Sequence, residues 1–108
     1  MIPVNEANDS RGLILIVDDD IRFSHSLSEV LQQAGYRTIT CDSGPEALRI
    51  VDEMREAIDL AVIDLVLPGM SGLEVVGAIK RRPNPIKIVV TSLVMRELYM
   101  EIAKTFGA

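Results

Sequence analysis

Apolar runs of strand length alternate along this chain with longer segments in which apolar residues recur at helical spacing. Two of the apolar runs end abruptly in acids: Leu13–Val17 is followed by Asp18, and residues 61–63 are followed by Asp64. Apolar runs without polar alternation are typical of parallel strands that are covered on both faces. The pattern therefore predicts two buried strands whose carboxyl ends carry carboxylates.

Two more strands and four helices complete the pattern. Residues 36–41 are rich in β-branched and aromatic side chains and predict an outer strand, and residues 86–90 predict a fourth strand. Each strand precedes a helical segment; Asp20 caps the first helix, and Pro45 fits the first turn of the second. The four predicted apolar stripes are Phe23, Leu27, Val30, Leu31 and Ala34; Ala47, Leu48, Val51 and Met54; Leu73, Val76 and Ile79; and Met95, Leu98, Ile102 and Phe106.

This strand and helix alternation predicts an α/β fold with a doubly wound parallel sheet. The most economical strand order is the flavodoxin-like 2-1-3-4, in which the topological switch point falls between the first and third strands. Residues 1–12 are polar and contain Pro3, so we expect a flexible tail there. Residues 13–108 are expected to form the domain.

The predicted order brings Asp18, Asp19 and Asp64 together, because the first and third strands are neighbours that end at the same edge. Carboxylates this close repel one another and favour a bound cation. An oxygen-only, water-accessible site suits Mg²⁺ or Mn²⁺, and a carboxylate beside such a metal can accept a phosphoryl group. We therefore expect Asp64 to be the nucleophile, with a hydroxyl of Ser92 or Thr91 at the end of the fourth strand contacting the phosphoryl oxygens.

Composition narrows the function classes. The 108 residues are 48% hydrophobic, which supports one folded domain, and the net charge of -5 argues against direct binding to nucleic acid. No apolar stretch approaches the roughly 18 residues of a membrane span, so a cytoplasmic location is the expectation. The single cysteine, Cys41, falls in a predicted strand, where a small buried hydrophobic residue is the simplest interpretation.

Taken together, these residues resemble the receiver domain of two-component response regulators, of the chemotaxis-regulator type. The resemblance covers nearly the whole chain after the tail, and its motifs are residues 13–20, Gly35-Tyr36, residues 44–48, residues 59–64, residues 67–70 with Gly72, and Gly107-Ala108. It implies that Asp64 accepts a phosphoryl group from a sensor histidine kinase. It also implies that Asp18, Asp19, Asp64 and the Val66 carbonyl bind Mg²⁺.

The same resemblance implies that the domain has a signalling role and is not an enzyme. At most, it would catalyse its own phosphorylation and dephosphorylation. Counting back from Gly107-Ala108 places the family's switch hydroxyl at Ser92 rather than Thr91. Phosphorylation would then switch a partner protein or an output domain, and residues 95–106 would form the partner face.

The chain departs from the family pattern in two places. Ser71 stands where the family usually has an aspartate, which changes the capping of the loop. The family also continues into a fifth strand, with a lysine that contacts the phosphate, and a fifth helix; we expect both to be absent, and Lys87 and Lys104 to lie too far away to replace the lysine. The fourth strand would then be an apolar edge, which predicts self-association through it.

Two alternatives use the same residues differently. One is a receiver-like binding module that works without phosphorylation, which the expected loss of the lysine favours. The other is a phosphatase of the haloacid dehalogenase kind, which also places an aspartate after an apolar strand. Arg22 and the lack of a cap domain count against the phosphatase.

Overall fold

The computed structural model describes residues 11–83 and 86–105, apart from the side chains of residues 93–96, 99 and 103. Strands and helices alternate four times, as the sequence predicts. In chain order the elements are β1 (Leu13–Val17), α1 (Ile21–Gln33), β2 (Arg37–Cys41), α2 (Gly44–Met54), β3 (Leu60–Asp64), α3 (Gly72–Lys80), β4 (Lys87–Thr91) and α4 (Leu93–Thr105).

The strands form one parallel sheet in the order β2-β1-β3-β4, which confirms the predicted flavodoxin-like topology. The register pairs Val17 with Cys41 on one side and with Ile63 on the other. Asp64 is paired with Thr91 in the neighbouring strand. Because all strands run in one direction, the residues that follow β1, β3 and β4 lie at the same edge of the sheet.

The prediction that β1 is a buried strand is confirmed, because all five of its residues are buried. On one face, the alternate residues Leu13, Leu15 and Val17 join a cluster built with the inner sides of α2 and α3. On the other face, Ile14 and Ile16 are equally buried, and α1 packs against β1 and β2. Burial of both faces explains the continuous apolar run in the sequence.

Local capping fixes where three of the helices begin. The Asp20 carboxylate accepts the Phe23 N–H at the start of α1, and the Ser43 hydroxyl accepts the Glu46 N–H at the start of α2. At the start of α3, the Ser71 hydroxyl accepts the Glu74 N–H, and the Glu74 carboxylate accepts the Ser71 N–H. Ser71, which stands where the family pattern usually has an aspartate, thus caps this helix.

The apolar stripe that we predicted for α3 is partly wrong. Leu73, which we placed in the core, is 67% exposed, whereas Val75, Ala78 and Ile79 are buried. On α4, the predicted stripe residues Leu98 and Ile102 are exposed as well. The side chains of the other two residues in that stripe, 95 and 106, lie outside the described part of the chain.

β4 is the outer strand opposite β2 within the described residues. Val89 and Val90, whose side chains point to opposite faces of the sheet, are 44% and 38% exposed. This exposure agrees with an apolar edge, and self-association through β4 stays a prediction.

Of the predicted tail, residues 1–12, the first ten lie outside the described part of the chain. Its last two residues are joined to the domain: Arg11 donates its N–H to the Gly35 carbonyl, and the Gly12 carbonyl accepts the Arg37 N–H. Within the part of the chain that is described, no helix is both long and apolar enough to cross a membrane.

Cys41 is half-buried at the end of β2. Burial raises the pKa of its thiol from 9.0 to about 11, and nearby Glu46 and Asp42 add to the effect. The thiol is therefore protonated and unreactive near neutral pH, which agrees with a structural role.

Candidate functional site

Three carboxylates meet where β1 and β3 end. Asp18 directly follows β1 and Asp64 is the last residue of β3, and their side chains are only 2% and 1% exposed. Asp19 is exposed at the rim. The three residues each offer a carboxylate oxygen, and these oxygens lie within 4.8 Å of one another. The structure thus brings together the three acids that the sequence singled out.

Backbone groups hold the two buried acids in place. The Asp18 N–H donates to the Cys41 carbonyl at 3.0 Å, and Asp18 Oδ1 accepts the Asp20 N–H at 2.8 Å. Asp64 Oδ1 accepts the Val66 N–H at 3.2 Å. These contacts orient the carboxylates before any ligand arrives, so their separation is a property of the fold.

The spacing of the acids is suited to a divalent cation. At 4.8 Å two full charges repel by about 3.5 kcal/mol at an effective dielectric of ~20, so the cluster attracts positive charge. In an octahedral Mg²⁺ site with ligands at about 2.1 Å, opposite ligand oxygens are about 4.2 Å apart. The three carboxylate oxygens all lie within 4.8 Å of one another, so they are close enough together to surround one such ion. An all-oxygen donor set also favours Mg²⁺ or Mn²⁺ over softer metals.

The loop between β3 and α3 forms one wall of the site. The Leu65 N–H donates to the Thr91 carbonyl at 3.0 Å, and the Gly72 N–H donates to the Leu65 carbonyl at 2.9 Å. Val66, whose carbonyl we expected to be a metal ligand, has a side chain that is 73% exposed. The sequence pattern predicts only a turn in this segment. Nothing in the sequence predicts the hydrogen bond from the Gly72 N–H to the Leu65 carbonyl.

Two hydroxyls lie at the end of β4. Thr91 is 8% exposed and is the register partner of Asp64, and its Oγ1 has no hydrogen-bond partner among the described residues. Ser92 follows it directly and is half-buried. The structure places both hydroxyls near the acidic edge, so the choice between them as switch residue stays a prediction.

Lys87 lies far from the acidic edge of the sheet. Lys87 begins β4 and is paired with Leu60, at the opposite end of the strand from Asp64. Lys87 is four residue steps along the strand from Thr91, a distance of about 13 Å. This agrees with the expectation that Lys87 does not replace the family's phosphate-contacting lysine.

The sequence matches the response regulator receiver domain family over residues 14–108. The chain belongs to this family. Receiver domains are signalling domains that histidine kinases phosphorylate on an aspartate and that act on output domains or partner proteins. Membership therefore decides against the phosphatase alternative of the haloacid dehalogenase kind.

The curated relatives that this chain matches have names that describe different activities. Sporulation initiation phosphotransferase F from Bacillus subtilis is 33% identical over 95 residues, which cover 88% of this chain and 75% of the relative. A cyclic di-GMP phosphodiesterase from Thermotoga maritima is 38% identical over 80 residues, covering 73% of this chain but 21% of the relative. DNA-binding response regulator MtrA from Mycobacterium leprae is 43% identical over 65 residues, covering 60% of this chain and 28% of the relative. The chain thus spans less than a third of the last two relatives, whose names describe whole proteins.

Solved structures agree with the fold. A receiver domain from Clostridium thermocellum superposes with a TM-score of 0.73 at 25% identity, covering 90% of this chain and 77% of that one. A CheY-like receiver domain from Methylobacillus flagellatus gives 0.68 at 30% identity, covering 77% and 70%. The Mn²⁺-bound form of response regulator Rcp1 gives 0.66 at 29% identity, covering 75% and 65%.

Proposed function

We propose that this chain is a phosphoacceptor receiver, in which Asp64 takes a phosphoryl group from a sensor histidine kinase in the presence of Mg²⁺ or Mn²⁺. The observation that carries the proposal is the buried Asp64 carboxylate, which lies within 4.8 Å of carboxylates of Asp18 and Asp19 at the carboxyl edge of the sheet. Phosphorylation of Asp64 then switches a partner protein or an output domain.

The proposed transfer is a displacement at phosphorus. A carboxylate oxygen of Asp64 forms a bond to phosphorus while the bond from phosphorus to the imidazole nitrogen of the donor breaks. The imidazole leaves with that electron pair. The Val66 N–H, which donates to Asp64 Oδ1, keeps the carboxylate aimed into the site during the approach.

Asp18, Asp19, Asp64 and the Val66 carbonyl would hold the divalent ion. When bound, the ion offsets negative charge on the phosphoryl oxygens and on the carboxylates. The chain's own contribution is to hold Asp18 and Asp64 in fixed positions through the backbone hydrogen bonds from Asp20 and Val66.

Exposed aliphatic side chains beside the acids support docking of a protein donor. Ile21, at the start of α1, is 75% exposed, and Val66 in the β3–α3 loop is 73% exposed. Both follow an acid of the site within three residues along the chain. We propose that a kinase packs against these side chains while its phosphohistidine reaches Asp64.

The test is phosphoryl uptake by the unmodified chain. After incubation with acetyl phosphate and Mg²⁺, intact-mass analysis is expected to show one phosphoryl adduct per chain. Borohydride reduction of the acyl phosphate, followed by peptide mapping, is expected to leave homoserine at position 64. A parallel sample with a chelator is the control and should show no adduct.

Two results would contradict the proposal. An adduct that maps to another residue would remove Asp64 from the chemistry. No adduct, in a chain whose circular dichroism shows a folded domain, would favour the alternative of a module that works without phosphorylation.

A comparison of two variants tests the switch hydroxyl. Ser92→Ala is expected to keep phosphoryl uptake but to lose the amide shift changes that phosphorylation causes around Leu98 and Ile102 in NMR spectra. Thr91→Val is expected to keep those changes. It should also raise the free energy of unfolding by about 1 kcal/mol, because it removes a buried hydroxyl that has no partner among the described residues. The reverse pattern in the spectra would assign the switch to Thr91.

A further inference from the structure

The first residue of α3 is in direct contact with the backbone of Asp64. A Cβ atom added to Gly72 would lie 2.0 Å from the Asp64 carbonyl oxygen and 2.7 Å from Leu65 Cα. Both neighbours are backbone atoms, so no side-chain rotation can relieve the overlap. The Gly72 N–H also donates to the Leu65 carbonyl at 2.9 Å, which fixes the two segments together.

Other glycines nearby lack this contact. Gly69, in the same loop, has a φ of 79° and no atom within 4 Å of an added Cβ, so it serves the turn alone. Gly77, one and a half turns further along α3, has only the end of the Arg81 side chain at 3.4 Å. Close approach to Asp64 therefore distinguishes Gly72 from both.

We infer that Gly72 is a positioning residue for Asp64, and the inference rests on the proposed function. By letting α3 start against the Asp64 carbonyl, Gly72 sets the backbone from Asp64 to Val66. That backbone in turn sets where the Asp64 carboxylate and the Val66 carbonyl lie relative to Asp18 and Asp19. A side chain at position 72 has to push this segment away by about 1.4 Å to reach ordinary contact distance. A misplacement of about 1 Å can already cost about 100-fold in rate.

The experiment compares Gly72→Ala with Gly77→Ala, which makes the same chemical change in the same helix without the overlap. Mg²⁺ affinity is measured by isothermal titration, and phosphoryl uptake from acetyl phosphate by intact mass, well below the unfolding temperature of each variant. We expect Gly72→Ala to bind Mg²⁺ at least tenfold more weakly and to take up phosphate about 100-fold more slowly. Gly77→Ala should stay within twofold of the unmodified chain in both.

A folded Gly72→Ala variant that matches the unmodified chain in both measurements overturns the inference. If that variant does not fold, the unmodified chain is titrated with Mg²⁺ in NMR. The Gly72 amide is then expected to shift with the same dissociation constant as the Val66 amide while the Gly77 amide stays in place, and a silent Gly72 amide overturns the inference. If the unmodified chain binds Mg²⁺ but takes up no phosphate, the proposed function fails, and the Mg²⁺ comparison still decides the role of Gly72.

Discussion

Replacing Asp64 with asparagine is expected to abolish phosphoryl uptake and to stabilise the metal-free fold. Uptake is lost because the asparagine amide oxygen is a poor nucleophile, so no acyl phosphate can form at position 64. Stability rises because Asp64 and Asp18 are both buried with carboxylate oxygens within 4.8 Å. We expect a gain of about 1 to 3 kcal/mol in the free energy of unfolding, which is the part of the mutual repulsion that solvent does not screen.

Intact mass after acetyl phosphate treatment and urea unfolding in the presence of a chelator measure the two effects. Asp20→Asn is the matched control, because Asp20 is exposed and asparagine keeps the N-cap acceptor for the Phe23 N–H. It should leave both quantities unchanged. Equal stability of Asp64→Asn and the unmodified chain would show that the buried acids do not repel as their spacing implies. An adduct on Asp64→Asn would rule out Asp64 as the acceptor.

The acidic cluster could be predicted from the sequence because two simple rules act together. A continuous apolar run predicts a strand that is buried on both faces, and β1 is buried throughout. The residues that follow parallel strands lie at one edge of the sheet, which predicts that Asp18 and Asp64 lie together, as the structure has them. Neither step needs a long-range contact to be known, since strand order follows from short connections.

Details of close approach could not be predicted in the same way. Gly72 reads in the sequence as one more turn residue, and its contact with the Asp64 carbonyl depends on how α3 is seated on the sheet. Thr91 and Ser92 are adjacent hydroxyls, and only the register shows that Thr91 is the partner of Asp64. The Ser71 and Glu74 capping box, by contrast, has a sequence signature that was available and that we interpreted only as a change in loop capping.

The error in the apolar stripe predicted for α3 leads to a second prediction, which concerns the free energy of unfolding. Leu73 and Ile79 are six residues apart, so at 3.6 residues per turn they point about 120° apart around the helix. They cannot both lie at the centre of one buried face. In the structure Ile79 is 0% exposed within the core cluster, and Leu73 is 67% exposed.

Ile79→Ala is therefore expected to lower the free energy of unfolding by about 2 to 5 kcal/mol, because it leaves a cavity between α3 and the sheet. Leu73→Ala is the matched control on the same helix and should cost less than about 0.5 kcal/mol, since the leucine side chain is mostly in solvent. Urea unfolding at a fixed temperature measures both. Equal losses would restore the predicted stripe and would require α3 to be rotated about its axis. Such a rotation would also carry Gly72 away from Asp64, so this comparison also checks the helix orientation on which the positioning role of Gly72 depends.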